Sequence, residues 1–141
     1  MFSDLAHYAE EHKSSIAIEG AYGHVIHSPQ MMKRLVDDIN SPDVFVTIDL
    51  FNYLDISNYQ KQKEIFDEAI HLLKEKIVIF HLKDFIVQGE GLIEVALGSG
   101  LIDYEYIIPN IKKHCPNAYL IFEGITGDNI NKSKIFINNL I

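Results

Sequence analysis

The chain has 141 residues, of which 48% are hydrophobic and 23% are charged, fractions that are typical of a folded globular domain. Twelve Lys and Arg residues stand against twenty Asp and Glu residues, so the net charge is −8 with the seven His counted as neutral, and this acidic balance argues against nonspecific nucleic-acid binding. No apolar run approaches the roughly 18 residues of a membrane span, and the first residues are too polar for a secretion signal, so we expect a single cytoplasmic domain over residues 1–141 with no nucleic-acid or membrane partner.

Four short apolar runs predict β-strands. Each run is rich in β-branched or aromatic residues and ends in a polar residue. Continuous apolar runs, as opposed to alternating ones, are typical of parallel strands that are buried on both faces. In chain order the predicted strands are Ser15–Glu19, Val44–Asp49, Ile77–His81 and Ala118–Glu123.

Helices are predicted before, between and after these strands, because apolar residues recur there at helical spacing. Ser28 followed by Pro29 is a favourable N-cap with a proline at the first helical position. Pro109 is expected to shorten or kink the helix that contains it. In chain order the predicted helices are Leu5–Lys13, Pro29–Ile39, Ser57–Lys74, Asp103–Lys113 and Asn131–Leu140.

This alternation of helices and strands predicts an α/β fold with a parallel sheet and right-handed crossovers. Residues 85–97 interrupt the alternation: two apolar stretches flank Gly89–Gly91, which predicts a small β-hairpin inserted after the third strand. Four βα units of this kind can fold as an open, flavodoxin-like sheet. A nucleotide-binding function of that fold is disfavoured, because no Gly-rich phosphate loop with the required spacing follows the first strand.

Each predicted strand has a polar residue with metal-binding chemistry at its carboxyl end. Ligands bind at this edge in parallel α/β folds, so the four side chains should converge. Carboxylates held that close repel one another unless a cation lies between them. Oxygen ligands with one nitrogen favour Mn²⁺, with Mg²⁺, Co²⁺ or Zn²⁺ as alternatives. Each residue could instead make only local hydrogen bonds; the four are Glu19, Asp49, His81 and Glu123.

Several segments resemble the xylose isomerase-like TIM-barrel superfamily, which includes sugar isomerases, sugar and sugar-phosphate epimerases, inosose dehydratases and endonuclease IV. The resemblance covers nearly the whole chain and implies the C-terminal half of the barrel, that is, the parallel (βα)₄ unit made of its last four βα units. The segments that carry it are residues 16–19, 27–35, 40–49, 81–84, 98–104 and 122–123.

The resemblance implies a divalent-metal-dependent sugar or sugar-phosphate isomerase or epimerase. Family members take Glu, Asp, His and Glu ligands from strands five to eight, which correspond to Glu19, Asp49, His81 and Glu123. The two Glu residues would also act as the catalytic acid and base. A metal ion that polarises a carbonyl and its neighbouring hydroxyl acidifies the adjacent C–H and stabilises the enediolate that forms, and two facing carboxylates can then move the proton.

Four more residues are candidates for substrate binding. His24 and His27 lie in the loop after the first strand, and Lys83 follows His81 by two positions. Asn52 stands where many family members have His, and it can hydrogen-bond a hydroxyl group but cannot shuttle a proton. The alternatives are ordinary loop histidines near a helix start and a solvated loop lysine.

A complete barrel takes about 250 residues, so four strands leave two unpaired edges and an open apolar face, which is an aggregation liability. We therefore expect a homodimer or a separate N-terminal half-barrel as partner. The alternative function is a catalytically inert fragment or assembly module that keeps its metal ligands by descent. A role like that of endonuclease IV is disfavoured by the net charge of −8 and by the single strand-end His.

Overall fold

Parallel strands form the central sheet of the computed structural model, which describes residues 1–141. The sheet order is β1-β2-β3-β6, and a separate antiparallel hairpin, β4-β5, follows β3. The fold is therefore the predicted (βα)₄ half of a TIM barrel with its hairpin insertion. The strands are β1 (Ile16–Glu19), β2 (Val44–Asp49), β3 (Ile77–Leu82), β4 (Asp84–Gln88), β5 (Gly91–Val95) and β6 (Tyr119–Phe122).

Five α-helices accompany the strands. They are α1 (Phe2–Glu11), α2 (Pro29–Ile39), α3 (Gln62–Leu73), α4 (Tyr104–His114) and α5 (Asp128–Asn138). None of them combines the length and the apolar character that a membrane crossing requires.

The parallel register divides the sheet residues between two faces. The face toward the helices is fully buried at its centre, where Val46, Ile48 and Phe80 lie. The opposite face is partly open: Tyr119 is 72% exposed and Ile121 is 42% exposed, although both are sheet residues. The strands at both edges, β1 and β6, each have only one hydrogen-bonded neighbour. The sheet thus has one face that is buried under the helices and one face that no layer of this chain covers completely.

The start of α2 follows its sequence signal, whereas the start of α3 differs from the predicted one. The Ser28 side chain accepts a hydrogen bond from the Met31 N–H at 3.3 Å, as expected of an N-cap before Pro29. The predicted helix over 57–74 instead begins at Gln62, because Asp55 Oδ1 accepts the N–H groups of Ser57 and Asn58 and forms a turn there. Helix α4 continues through Pro109 to His114, so the shortening expected at this proline does not occur.

A buried carboxylate fixes the hairpin and the following loop to the end of β3. Asp84 is fully buried, and its two oxygens accept hydrogen bonds from four backbone N–H groups at 2.9–3.0 Å. A Cβ atom on Gly100 would lie 2.2 Å from Asp84 Oδ1, so glycine is required for this close approach. The four donors belong to Phe85, Gly98, Gly100 and Ile102.

Candidate metal centre

Each strand of the central sheet brings one side chain to the carboxyl edge. Glu19 and Asp49 are the last residues of β1 and β2, His81 is the penultimate residue of β3, and Glu123 directly follows β6. One potential ligand atom from each of these residues lies within 4.8 Å of those of the other three. The structure therefore gathers all four residues that the sequence suggested as metal ligands into one cluster.

The imidazole of His81 lies between the two glutamates of the cluster. Its Nδ1 atom is 3.3 Å from Glu19 Oε1 and 2.5 Å from Glu123 Oε2. The Glu19 and Glu123 side chains are 32% and 41% exposed, whereas that of Asp49 is completely buried. The two glutamates can therefore contact a molecule that approaches from solvent, whereas the buried Asp49 carboxylate is shielded from solvent.

Lys83 reaches into the same cluster. Its ammonium nitrogen lies 2.9 Å from Asp49 Oδ2 and 3.1 Å from Glu123 Oε1, and it donates a longer hydrogen bond of 3.3 Å to Asn52 Oδ1. Only 8% of the Lys83 side chain is exposed. Lys83 is thus not a solvated loop lysine, which was one of the two interpretations of its position in the sequence.

Burial and charge act in opposite directions on this pair. Burial raises the pKa of the Asp49 carboxyl above its usual value, and this outweighs the lowering effects of Lys83 and of the Asn52 N–H. Burial alone would lower the pKa of the Lys83 ammonium, but hydrogen bonding to Asp49 and the charges of Asp49 and Glu123 raise it. Lys83 is therefore a cation that offsets part of the negative charge of three carboxylates.

The cluster has the size and chemistry of a divalent-metal site. In an octahedral shell with metal–oxygen distances near 2.1 Å, adjacent ligands are about 3.0 Å apart and opposite ligands about 4.2 Å apart, so four atoms within 4.8 Å of one another are close to the spacing that one ion requires. Asp49 Oδ2 and Glu123 Oε2 are buried, and the only polar side chains beside them are Lys83 at 2.9 Å and His81 at 2.5 Å, neither of which is well aligned as a hydrogen-bond donor. Buried carboxylate oxygens without such donors are costly, and a cation would satisfy them.

The remaining predicted residues lie around the cluster in different ways. Asn52 donates from Nδ2 to Glu19 Oε1 at 2.8 Å, so its amide is already engaged within the cluster. His24 lines an open cavity of about 380 Å³ together with Glu19 and Asn52. His27 is exposed and does not line that cavity; its Nδ1 lies 3.1 Å from the His24 carbonyl oxygen. The structure thus places His24 beside the cluster and leaves His27 outside it.

Two residues that the sequence did not suggest hold Lys83 in place. Tyr104 donates its hydroxyl to the Lys83 carbonyl oxygen at 2.5 Å, and Asp84 anchors the next peptide by four backbone hydrogen bonds. The signals in the sequence were residues 81–84 and 98–104, two of the segments that carry the family resemblance. Its glycines and tyrosine position the backbone that carries Lys83.

The sequence profile described as "xylose isomerase-like TIM barrel" matches residues 1–137. No curated protein matches the chain in sequence. Among solved structures, a xylose isomerase domain protein from Planctomyces limnophilus superimposes with a TM-score of 0.80 at 17% identity, over 99% of this chain and 49% of that one.

Two other solved structures are similar. A xylose isomerase-like TIM-barrel protein from Mycobacterium smegmatis, in complex with magnesium, gives a TM-score of 0.77 at 14% identity over 98% of this chain and 47% of that one. A D-tagatose 3-epimerase-like protein gives 0.75 at 19% identity, over 99% and 51%. The chain therefore spans about half the length of the solved structures it resembles.

Proposed function

The chain belongs to the xylose isomerase-like TIM-barrel family, and on that basis we propose that it carries the metal-binding half of a sugar or sugar-phosphate isomerase or epimerase. The observation that carries this proposal is the convergence of Glu19, Asp49, His81 and Glu123 within 4.8 Å of one another. A solved relative of similar fold is a D-tagatose 3-epimerase-like protein, which supports a keto-sugar as the kind of substrate.

The four cluster residues would hold one divalent ion, with Mn²⁺ as the first candidate. The magnesium complex of the Mycobacterium smegmatis protein supports an ion that prefers oxygen ligands. When bound, such an ion supplies positive charge that polarises a carbonyl and an adjacent hydroxyl of the substrate. Asp49, which is fully buried, would serve only as a ligand.

Glu19 and Glu123 are proposed as the proton-transfer pair. They come from the two edge strands of the sheet, β1 and β6, and both stay partly exposed, so they can approach a sugar carbon from different sides. Asn52 holds Glu19 Oε1 with a hydrogen bond of 2.8 Å and thereby fixes the direction of that carboxylate. One glutamate would remove the proton and the other would return it to the opposite face of the carbon.

His24, Asn52 and Lys83 are the proposed contacts to substrate hydroxyl groups in this half. The cavity lined by Glu19, His24 and Asn52 opens directly beside the cluster. His27, which is outside the cavity, would reach a substrate only if the loop between β1 and α2 changed conformation. The rest of the pocket would come from the partner that covers the open face.

We propose that another four-stranded half, supplied by a second copy or by an N-terminal half-barrel, covers the sheet face that includes Tyr119 and Ile121. Both side chains are strongly exposed for sheet residues, and the similar solved structures are about twice as long as this chain. The competing proposal is an inert assembly module that keeps its metal ligands by descent, which Asn52, in place of a His that could shuttle a proton, favours. Catalytic turnover of a sugar substrate by the protein would distinguish the isomerase or epimerase from the inert module.

The test is an assay of keto-sugars and keto-sugar phosphates with Mn²⁺, on the chain alone and on Glu123→Gln. We expect epimerisation or isomerisation that stops with a chelator and falls by about 10²- to 10⁴-fold in the variant, because an acid–base group is lost. Glu64→Gln, at an exposed helix position, is the matched control. Light scattering on the same sample reports association. Absence of turnover from associated, metal-loaded protein would favour the inert module.

A further inference from the structure

We propose that Lys83 is a built-in counter-cation that competes with the metal ion for the carboxylates of Asp49 and Glu123. The inference rests on the proposed metal site and adds a regulatory element to it. Lys83 contacts two of the four candidate ligands, at 2.9 Å and 3.1 Å. It is the only lysine or arginine that forms an ion pair with a member of the cluster.

The ammonium group uses the same lone pairs that a metal ion requires. Asp49 Oδ2 has Lys83 as its only ion-pair partner, and Glu123 divides its two oxygens between Lys83 and His81. A divalent ion bound to these residues would either displace the ammonium or lie a few ångströms from it. Both outcomes cost free energy. Displacing the ammonium breaks its ion pairs, and leaving it in place holds two positive charges close together.

The position of Lys83 is fixed by the fold. Its carbonyl accepts the Tyr104 hydroxyl at 2.5 Å, its ammonium lies 5.7 Å from the centre of the Phe51 ring, and its side chain is 8% exposed. Asp84 anchors the following peptide. The ammonium therefore cannot leave the cluster for bulk solvent without a rearrangement, and it stays close when a metal ion binds.

This arrangement has opposite effects on the two states of the site. Without metal, Lys83 offsets repulsion among Glu19, Asp49 and Glu123 and keeps the ligands assembled. With metal, the same charge opposes the ion and lowers its affinity. The geometry thus points to a preformed but weak and exchangeable metal site, in which the lysine sets the affinity.

The experiment is calorimetric titration of the chain with Mn²⁺ at pH 8, comparing the unmodified protein with Lys83→Met and Lys83→Arg. We expect Lys83→Met to bind Mn²⁺ about tenfold more tightly or better, since a repelling charge a few ångströms away is removed. Lys83→Arg retains the charge and should bind no more tightly than the unmodified chain. Lys63→Met, which removes another ion-paired lysine whose partner, Asp103, is not a member of the cluster, should leave the affinity unchanged.

Equal or weaker binding by Lys83→Met overturns the inference while the metal site stands. Tighter binding by both Lys83→Met and Lys83→Arg also overturns it, because the effect is then not due to charge. If no protein binds Mn²⁺, the proposed metal site and the inference both fail. Should Lys83→Met not fold, Lys83→Gln, which also removes the charge, replaces it in the titration: tighter Mn²⁺ binding is expected, and equal or weaker binding contradicts the inference.

Discussion

Replacing Asp49 with Asn is expected to weaken Mn²⁺ binding by about 100-fold or more. The basis is the position of Asp49 in the cluster, where its carboxylate is fully buried. Asn is nearly the same size but removes one of three negative charges. Loss of residues that only orient ligands already costs about 10- to 100-fold in metal affinity, so loss of a ligand charge should cost at least as much.

Calorimetric titration with Mn²⁺ measures this effect, and Asp43→Asn provides the control. Asp43 directly precedes β2, so it lies at the opposite end of the strand that ends in Asp49. Both variants change the net charge of the chain by the same amount. Equal Mn²⁺ affinity of Asp49→Asn and the unmodified chain would show that Asp49 is not a ligand.

The largest loss of stability is expected from Asp84→Ala. Asp84 accepts four backbone hydrogen bonds while it is fully buried, and alanine would leave the donors without a partner. Each buried donor left unsatisfied costs about 1–3 kcal/mol; because water can enter the vacated space, we expect a total loss of about 3–5 kcal/mol in the free energy of unfolding. Urea denaturation at fixed protein concentration measures it.

Two glycine variants test the same region by steric means. Gly100→Ala places a Cβ atom 2.2 Å from Asp84 Oδ1 and 2.4 Å from the Phe85 carbonyl oxygen, so it should also be strongly destabilising. Gly91→Ala is the control, because its Cβ would meet nothing closer than 4.0 Å. An unfolding free energy of Asp84→Ala within about 1 kcal/mol of the unmodified chain, a change ordinary for a surface site, would refute the role of this carboxylate.

The fold could be predicted because its strands are local signals. Short β-branched and aromatic runs such as Val44–Asp49 identify buried parallel strands without knowledge of their neighbours. The polar residue that ends each run then marks the edge where side chains meet, which is why residues as distant as Glu19 and Glu123 could be placed together. The N-cap at Ser28 and the hairpin at Gly89–Gly91 are equally local and agree with the structure.

Other features depend on contacts between distant segments and left little trace in the sequence. The four hydrogen bonds to Asp84 come mostly from a loop more than ten residues away, and nothing in the pattern near Asp84 indicates them. The side chain of Lys83 could equally have pointed to solvent. The start of α3 was placed too early, because helical spacing does not reveal that Asp55 captures the N–H groups of Ser57 and Asn58.

Four strand ends are proposed to share one divalent ion. The most direct measurement is an anomalous diffraction map from crystals of the unmodified chain soaked with Mn²⁺. We predict a single strong peak within about 2.0–2.6 Å of oxygens from Glu19, Asp49 and Glu123 and of a nitrogen from His81, distances usual for such ligands. A fully soaked crystal with no peak in this cluster, or with manganese bound only elsewhere on the surface, would contradict it.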